Sequence, residues 1–140
     1  SKGLGAPIGS ILLSSKVHIA KALRIRKLLG GAMRQVGFLA AAGIYALDNH
    51  VERLAEDHKK AKEIGQVLEE VSYVTKVETI ETNIVIFYVD KKIGDTNFIQ
   101  KMAAKNILLT PMGEGKIRIV THLNYTNKMH QILLKELKNF

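Results

Sequence analysis

The stretch Asn83-Ile84-Val85-Ile86-Phe87-Tyr88-Val89-Asp90 decides the reading of this 140-residue chain. It is an unbroken run of β-forming residues between polar ends. Its length suits a strand, and its continuous apolar character predicts a central strand covered on both faces. Upstream, Val51, Leu54, Ala55, His58, Ala61, Ile64, Leu68 and Val71 recur at helical spacing, with Glu52, Glu56, Lys59, Lys60 and Glu63 on the wet side. Downstream, Asp95 or Thr96 is placed to cap a short helix that turns Phe98, Ile99 and Met102 inward. Ile107–Thr110 and Lys116–Val120 read as strands joined by a turn, Pro111-Met112-Gly113-Glu114-Gly115. A last helix, from about Thr126 to Leu137, buries Met129, Ile132, Leu133 and Leu137. The order from about residue 45 is helix, strand, helix, strand, strand, helix. That order predicts a two-layer α/β domain with helices packed on a small sheet.

The residues before it read differently. Ser1–Gly9 holds three glycines and a proline, which is loop chemistry. Ile11-Leu12-Leu13 reads as a short buried strand. Ser14 or Ser15 can cap a helix running to about Leu29, with Gly30-Gly31 closing it. A second helix, from about Gln35 to Asp48, is rich in Ala and Gly and is expected to be packed on several sides. One short strand and two helices do not close a core, so residues 1–45 are expected to form the end of a larger domain and residues 46–140 a small α/β domain. No internal repeat is visible.

Composition narrows the function. The chain is 46% apolar and 24% charged, with 2 prolines, so it is neither disordered nor low-complexity. Without cysteine it has no disulfide framework, thiolate metal site or thiol nucleophile. Val36–Leu47, its longest apolar run, is too short to span a bilayer, and no charged-then-apolar leader opens the chain. The net charge of +8 is concentrated at the start: Lys2, Lys16, Lys21, Arg24, Arg26, Lys27 and Arg34 fall before Asp48, the first acid. Such a stretch attracts anions. Zinc-finger spacing and RNA-binding signatures are missing, and aromatics make up 6% with none in Ser1–Gly37, so a small phosphate or carboxylate suits it better than nucleic acid. A solvated basic helix and a polyanion-binding module stay open as alternatives.

Four residues could carry chemistry. Lys2 lies in the glycine-rich loop; a lysine amine whose pKa is lowered by a neighbouring cation or by desolvation becomes a nucleophile for Schiff-base formation. Lys27 and Arg34 flank Leu28-Leu29-Gly30-Gly31-Ala32-Met33, with Arg34 at the start of a helix, where anions are favoured. Arg118 lies on the strand Lys116–Val120, where alternation sets Ile117 and Ile119 on one face and Lys116, Arg118, Val120 and His122 on the other. A guanidinium there needs an anionic partner, and its fork matches a carboxylate. His58 reads as a core residue and Asp57 as a surface one. The five histidines show no metal-binding spacing.

Taken in order, Ser1-Lys2-Gly3-Leu4-Gly5-Ala6-Pro7-Ile8-Gly9-Ser10, then Arg24 to Gln35, then Ile117-Arg118-Ile119-Val120-Thr121-His122, resemble the low-specificity L-threonine aldolases, fold-type I pyridoxal-phosphate enzymes of the β-eliminating lyase family. The likeness extends through Val51–His58 and Thr82–Val85. Ala32 departs from it, standing where relatives often have a third glycine. The resemblance implies that Lys2 is the catalytic lysine that bonds the cofactor, pyridoxal 5'-phosphate. It implies that Lys27 and Arg34 face cofactor phosphate or substrate, and that Arg118 grips the substrate carboxylate. It implies residues 1–45 as the end of the cofactor-binding large domain, and a cytoplasmic homo-oligomer, dimer or tetramer. The activity implied is cleavage of a β-hydroxy amino acid, L-threonine or L-allo-threonine, to glycine and acetaldehyde. β-Elimination from another amino acid is the sibling chemistry. Because relatives carry a large stretch before this lysine, the chain is expected to be the C-terminal portion of such an enzyme, inactive without its N-terminal part.

Overall fold

The computed structural model describes residues 3–140; Ser1 and Lys2 lie outside the described residues. The chain divides into two units, Ser1–Val51 and Glu52–Phe140. The division falls past the end of a helix rather than at 45–46.

In the first unit, α1 is Lys16–Leu28. Ser15 caps it, its hydroxyl accepting from the His18 N–H at 3.4 Å. Its other end is a Schellman motif: Gly30 N–H donates to Lys27 O at 3.2 Å and Gly31 N–H to Arg26 O at 2.8 Å. Gly30 sits there at φ 76°, a left-handed conformation that glycine adopts without a Cβ clash. The next helix, α2, is Gly37–His50. The His50 ring donates from Nδ1 to Leu4 O at 2.6 Å, tying the glycine-rich loop to the end of α2. Two expectations are corrected here. Ile11-Leu12-Leu13 forms no strand and is exposed, Leu13 at 87%. A strand needs a neighbouring ladder, and the described residues of this unit offer none. Nor is α2 packed on several sides: Ala46 is its buried residue, while Phe38 is 84% exposed.

The second unit is a two-layer α/β sandwich. Its helices are α3 (Leu54–Glu70), α4 (Asp95–Ala104) and α5 (Asn127–Lys138). Its strands are β1 (Val74–Val77), β2 (Ile84–Val89), β3 (Thr110–Gly113) and β4 (Lys116–Val120). They form an antiparallel sheet in the order β1-β2-β4-β3. The β2–β4 register pairs Val85 with Ile119 and Phe87 with Ile117, so one face carries the apolar side chains on which the helices pack. Ala61, Ile64 and Leu68 of α3, Phe98 and Met102 of α4, and Leu133 and Leu137 of α5 complete this core. The Phe98 ring is its hub, 5.9 Å from Phe87 and 4.6 Å from Phe140.

Several sequence expectations shift. The apolar stretch at 83–90 is central, but β2 alternates: Val85, Phe87 and Val89 are buried, while Ile84 is exposed and Ile86 and Tyr88 are half-buried. Helices cover one face, and the described residues of this unit leave the other open. β1 went unread because Val74-Thr75-Lys76-Val77 is short and half polar. β3 starts at Thr110 rather than 107, so Pro111 lies inside an edge strand, where its missing N–H is tolerated. The turn is correspondingly shorter, with Glu114 at φ 53° and Gly115 at φ 77°, the paired positive values of a type I′ hairpin. α4 takes Gly94 as its N-cap and begins at Asp95. Met129 and Ile132 of α5 are exposed at 52% and 44% rather than buried.

Candidate functional site

β4 and the turn after it build the site. Ile117, Ile119 and Thr121 point inward and are buried. The Thr121 hydroxyl donates to Asp57 O at 2.7 Å, and Asn83 Nδ2 donates to Thr121 O at 2.7 Å, pinning the end of β4 to α3 and to the entrance of β2. With that register fixed, Arg118, Val120 and His122 are turned outward and exposed. Arg118 is paired across the sheet with Ile86 on one side and Thr110 on the other. Among the described residues, no carboxylate pairs with its guanidinium and no acceptor bonds it.

Arg118 and His122 line one cleft of about 570 Å³. Its walls are otherwise largely apolar, with Leu108, Ile107, Met129 and Ile132 prominent. This is why Met129 and Ile132 stay uncovered: they face a cavity instead of the core. Tyr125 closes the floor, its N–H donating to His122 O at 2.8 Å and its carbonyl accepting from Lys60 Nζ at 3.0 Å. A cation at the edge of an apolar cleft suits a small molecule bearing one carboxylate.

Beyond Arg118 the open face of the sheet carries an ordered ionic cluster. Lys76 Nζ and Lys116 Nζ lie 5.5 and 5.3 Å from the Tyr88 ring centroid. Glu78 accepts from Lys76 at 2.8 Å and from the Tyr88 hydroxyl at 3.0 Å. Those two hydrogen bonds hold the Glu78 carboxyl below its ordinary pKa, and the Lys76 ammonium is raised by the same bond. Within the cluster Lys76 has a carboxylate partner, which Arg118 lacks among the described residues.

In the first unit, Lys27 lies in the last turn of α1 and Arg34 just before α2, on either side of the Gly30-Gly31 reversal. Both are exposed, and among the described residues neither has an ion-pair partner. No acid precedes Asp48, so the donor set of this unit has the sign and chemistry a phosphate dianion requires. Lys2, expected to be the cofactor lysine, lies outside the described residues. The structure thus brings Arg118 and His122 to one cleft, and Lys27 and Arg34 to one turn.

Two buried polar groups escaped the sequence reading. Asp57, expected at the surface, is fully buried and paired to Arg53 at 2.7 Å. His130 is buried between Glu63, 2.7 Å from Nε2, and the Tyr125 hydroxyl, 3.2 Å from Nδ1. The i, i+4 spacing of Arg53 and Asp57 was a usable signal. His130 and Glu63 are far apart in sequence, and nothing local announces them. His58, expected in the core, is half-buried. Among the described residues no group of three or more His, Asp or Glu is placed to hold a metal ion, and no helix is long and apolar enough to cross a membrane.

Known structures share this fold. Two structures resemble it at the level of fold. The cystine C–S lyase C-DES, in complex with its product cysteine persulfide, matches with a TM-score of 0.57 at 20% identity, over 74% of this chain and 28% of that one. The ornithine aminotransferase of Toxoplasma gondii matches with a TM-score of 0.58 at 17% identity, over 72% and 25%. In another structure of C-DES, glycine is covalently linked to the PLP cofactor. The fold is that of part of a fold-type I PLP-dependent enzyme.

The family model of the β-eliminating lyases matches residues 1–92, and the chain belongs to that family. It is 40% identical over 131 residues to the low specificity L-threonine aldolase of Escherichia coli K12, covering 91% of this chain and 37% of that protein. It is 40% identical over 125 residues to a probable low-specificity L-threonine aldolase of Arabidopsis thaliana, covering 87% and 35%. The chain therefore spans about a third of the length of these curated relatives.

Proposed function

We propose that this chain is the substrate-carboxylate and cofactor-lysine portion of a cytoplasmic, homo-oligomeric threonine aldolase that cleaves L-threonine or L-allo-threonine to glycine and acetaldehyde. The observation that carries the reading is Arg118, exposed on β4 at the edge of a cleft with no protein carboxylate to neutralise it among the described residues. The 40% identity to threonine aldolases across most of the chain supports the choice of substrate. The exposed apolar residues of the first unit, Phe38 and Leu13 foremost, support a partner surface. The segments that complete the relatives' length are the proposed partner.

Each residue then has a defined task. Arg118 offers two parallel N–H donors to the carboxylate, fixing the orientation of the amino acid. Lys27 and Arg34 hold phosphate oxygens, where a long side chain and a planar fork suit a dianion at a helix start. Lys2 would hold the cofactor through its side-chain amine. Pyridoxal phosphate, when bound, supplies the ring that withdraws electrons from the breaking carbon–carbon bond. The apolar walls of the cleft exclude water around the clamped carboxylate.

Borohydride reduction of the protein with bound pyridoxal phosphate, followed by peptide mapping, tests the assignment. One pyridoxyl group on Lys2 is the expected result. Labelling spread over the surface lysines, or its survival in Lys2→Ala, would overturn it.

A further inference from the structure

The cleft holds a second donor that the carboxylate reading leaves unused. His122 follows Arg118 by four positions on the outward face and lines the same cavity. Its Nδ1 accepts a hydrogen bond from the backbone N–H of Asn124 at 3.2 Å. A backbone amide can only donate, so Nδ1 carries the lone pair and the proton of the neutral ring sits on Nε2. The ring is held at its base as well, since His122 O accepts from the Tyr125 N–H at 2.8 Å. Among the described residues nothing accepts from Nε2.

We propose that His122 is a second substrate anchor, donating from Nε2 to the carboxylate gripped by Arg118. A carboxylate offers about four lone-pair sites, and a bidentate guanidinium uses two. The remaining sites, facing a cleft lined by Leu108, Met129 and Ile132, gain from another donor. The Asn124 bond also sets what His122 does not do. Its lone pair is already occupied, so taking a proton would break that bond; the residue is a donor and not the base. This proposal rests on the reading of Arg118 as the carboxylate grip.

The test uses the ¹⁵N-labelled 140-residue chain at mildly alkaline pH, where an ordinary imidazole is neutral. Long-range ¹H–¹⁵N correlation reports the His122 tautomer, and titration with acetate against chloride at equal ionic strength reports binding at the cleft amides. The expected results are a protonated Nε2, acetate binding weakened about tenfold in His122→Ala, and recovery to within about twofold in His122→Gln, whose amide N–H reaches the same region. A protonated Nδ1, or acetate binding unchanged in His122→Ala while Arg118→Ala abolishes it, overturns this proposal and leaves the Arg118 reading standing. Binding unchanged in Arg118→Ala, or absent in the wild type, overturns the Arg118 reading and this proposal with it.

Discussion

Arg118 is available for a ligand because its neighbours are satisfied elsewhere. Thr121 is spent on Asp57 and Asn83, and Glu78 on Lys76 and Tyr88, so neither holds the guanidinium. Lysine at this position would keep the charge and lose the fork. In the assembled enzyme, Arg118→Ala is therefore expected to lower kcat/KM by about a hundredfold, with Arg118→Lys recovering only part of it, as steady-state kinetics would show. Asp57 is a structural counterpart. Asp57→Ala would strand Arg53, whose side chain is 18% exposed, and should cost about 3 kcal/mol in urea unfolding, while an apolar replacement of both partners costs much less. Burial pushes the Tyr73 phenol up from 10.0 to about 12. A folded-state pKa raised in this way gives stability that is whole below the unfolded value and lost as pH climbs toward the folded one. The urea midpoint should therefore fall between about pH 10 and pH 12 in the wild type and fall less in Tyr73→Phe.

At the scale of elements, the β3–β4 hairpin shows where local rules and sequence disagree. Glu114 occupies a left-handed position at φ 53° that asparagine adopts more readily. Glu114→Asn should raise the stability of the second unit by about 0.5–1 kcal/mol in denaturant unfolding. The reading of Pro111 to Gly115 as one long turn failed because proline looks like a strand breaker; on an edge strand it is not. The helices of the second unit were legible because each has a cap or a strong apolar period: α3 carries Ala61, Ile64 and Leu68 on one stripe, and Thr126 caps α5. Periodicity could not tell a core-facing residue from a cleft-facing one, which is why Met129 and Ile132 were assigned to the core. It likewise could not show that β2 would have helices on one side only. Of the site, the outward placement of Arg118 and His122 followed from strand alternation. The cleft beside them depends on α5 and the segment before β3, which no local pattern joins.

Across the whole chain, the two units differ in how much they bury. The second has a continuous apolar core from Ala61 to Leu137, and the first has Ala46. Hydrogen exchange followed by mass spectrometry should accordingly show slow amides in α3, β2 and β4 and fast exchange through α1 and α2 in the 140-residue chain, with protection of α1 and α2 appearing when the rest of the relatives' length is supplied. The sequence signalled this asymmetry through its charge, since the acid-free stretch coincides with the unit that closes no core. The central claim is that Lys2 and Arg118 belong to one threonine-cleaving enzyme. Acetaldehyde release from L-threonine with pyridoxal phosphate tests it most directly, measured on this chain alone and on the chain joined by the segments that complete its relatives' length. The account predicts release only from the completed protein and its loss in Lys2→Ala. Turnover by the chain alone, undiminished release in Lys2→Ala, or none from the completed protein would contradict it.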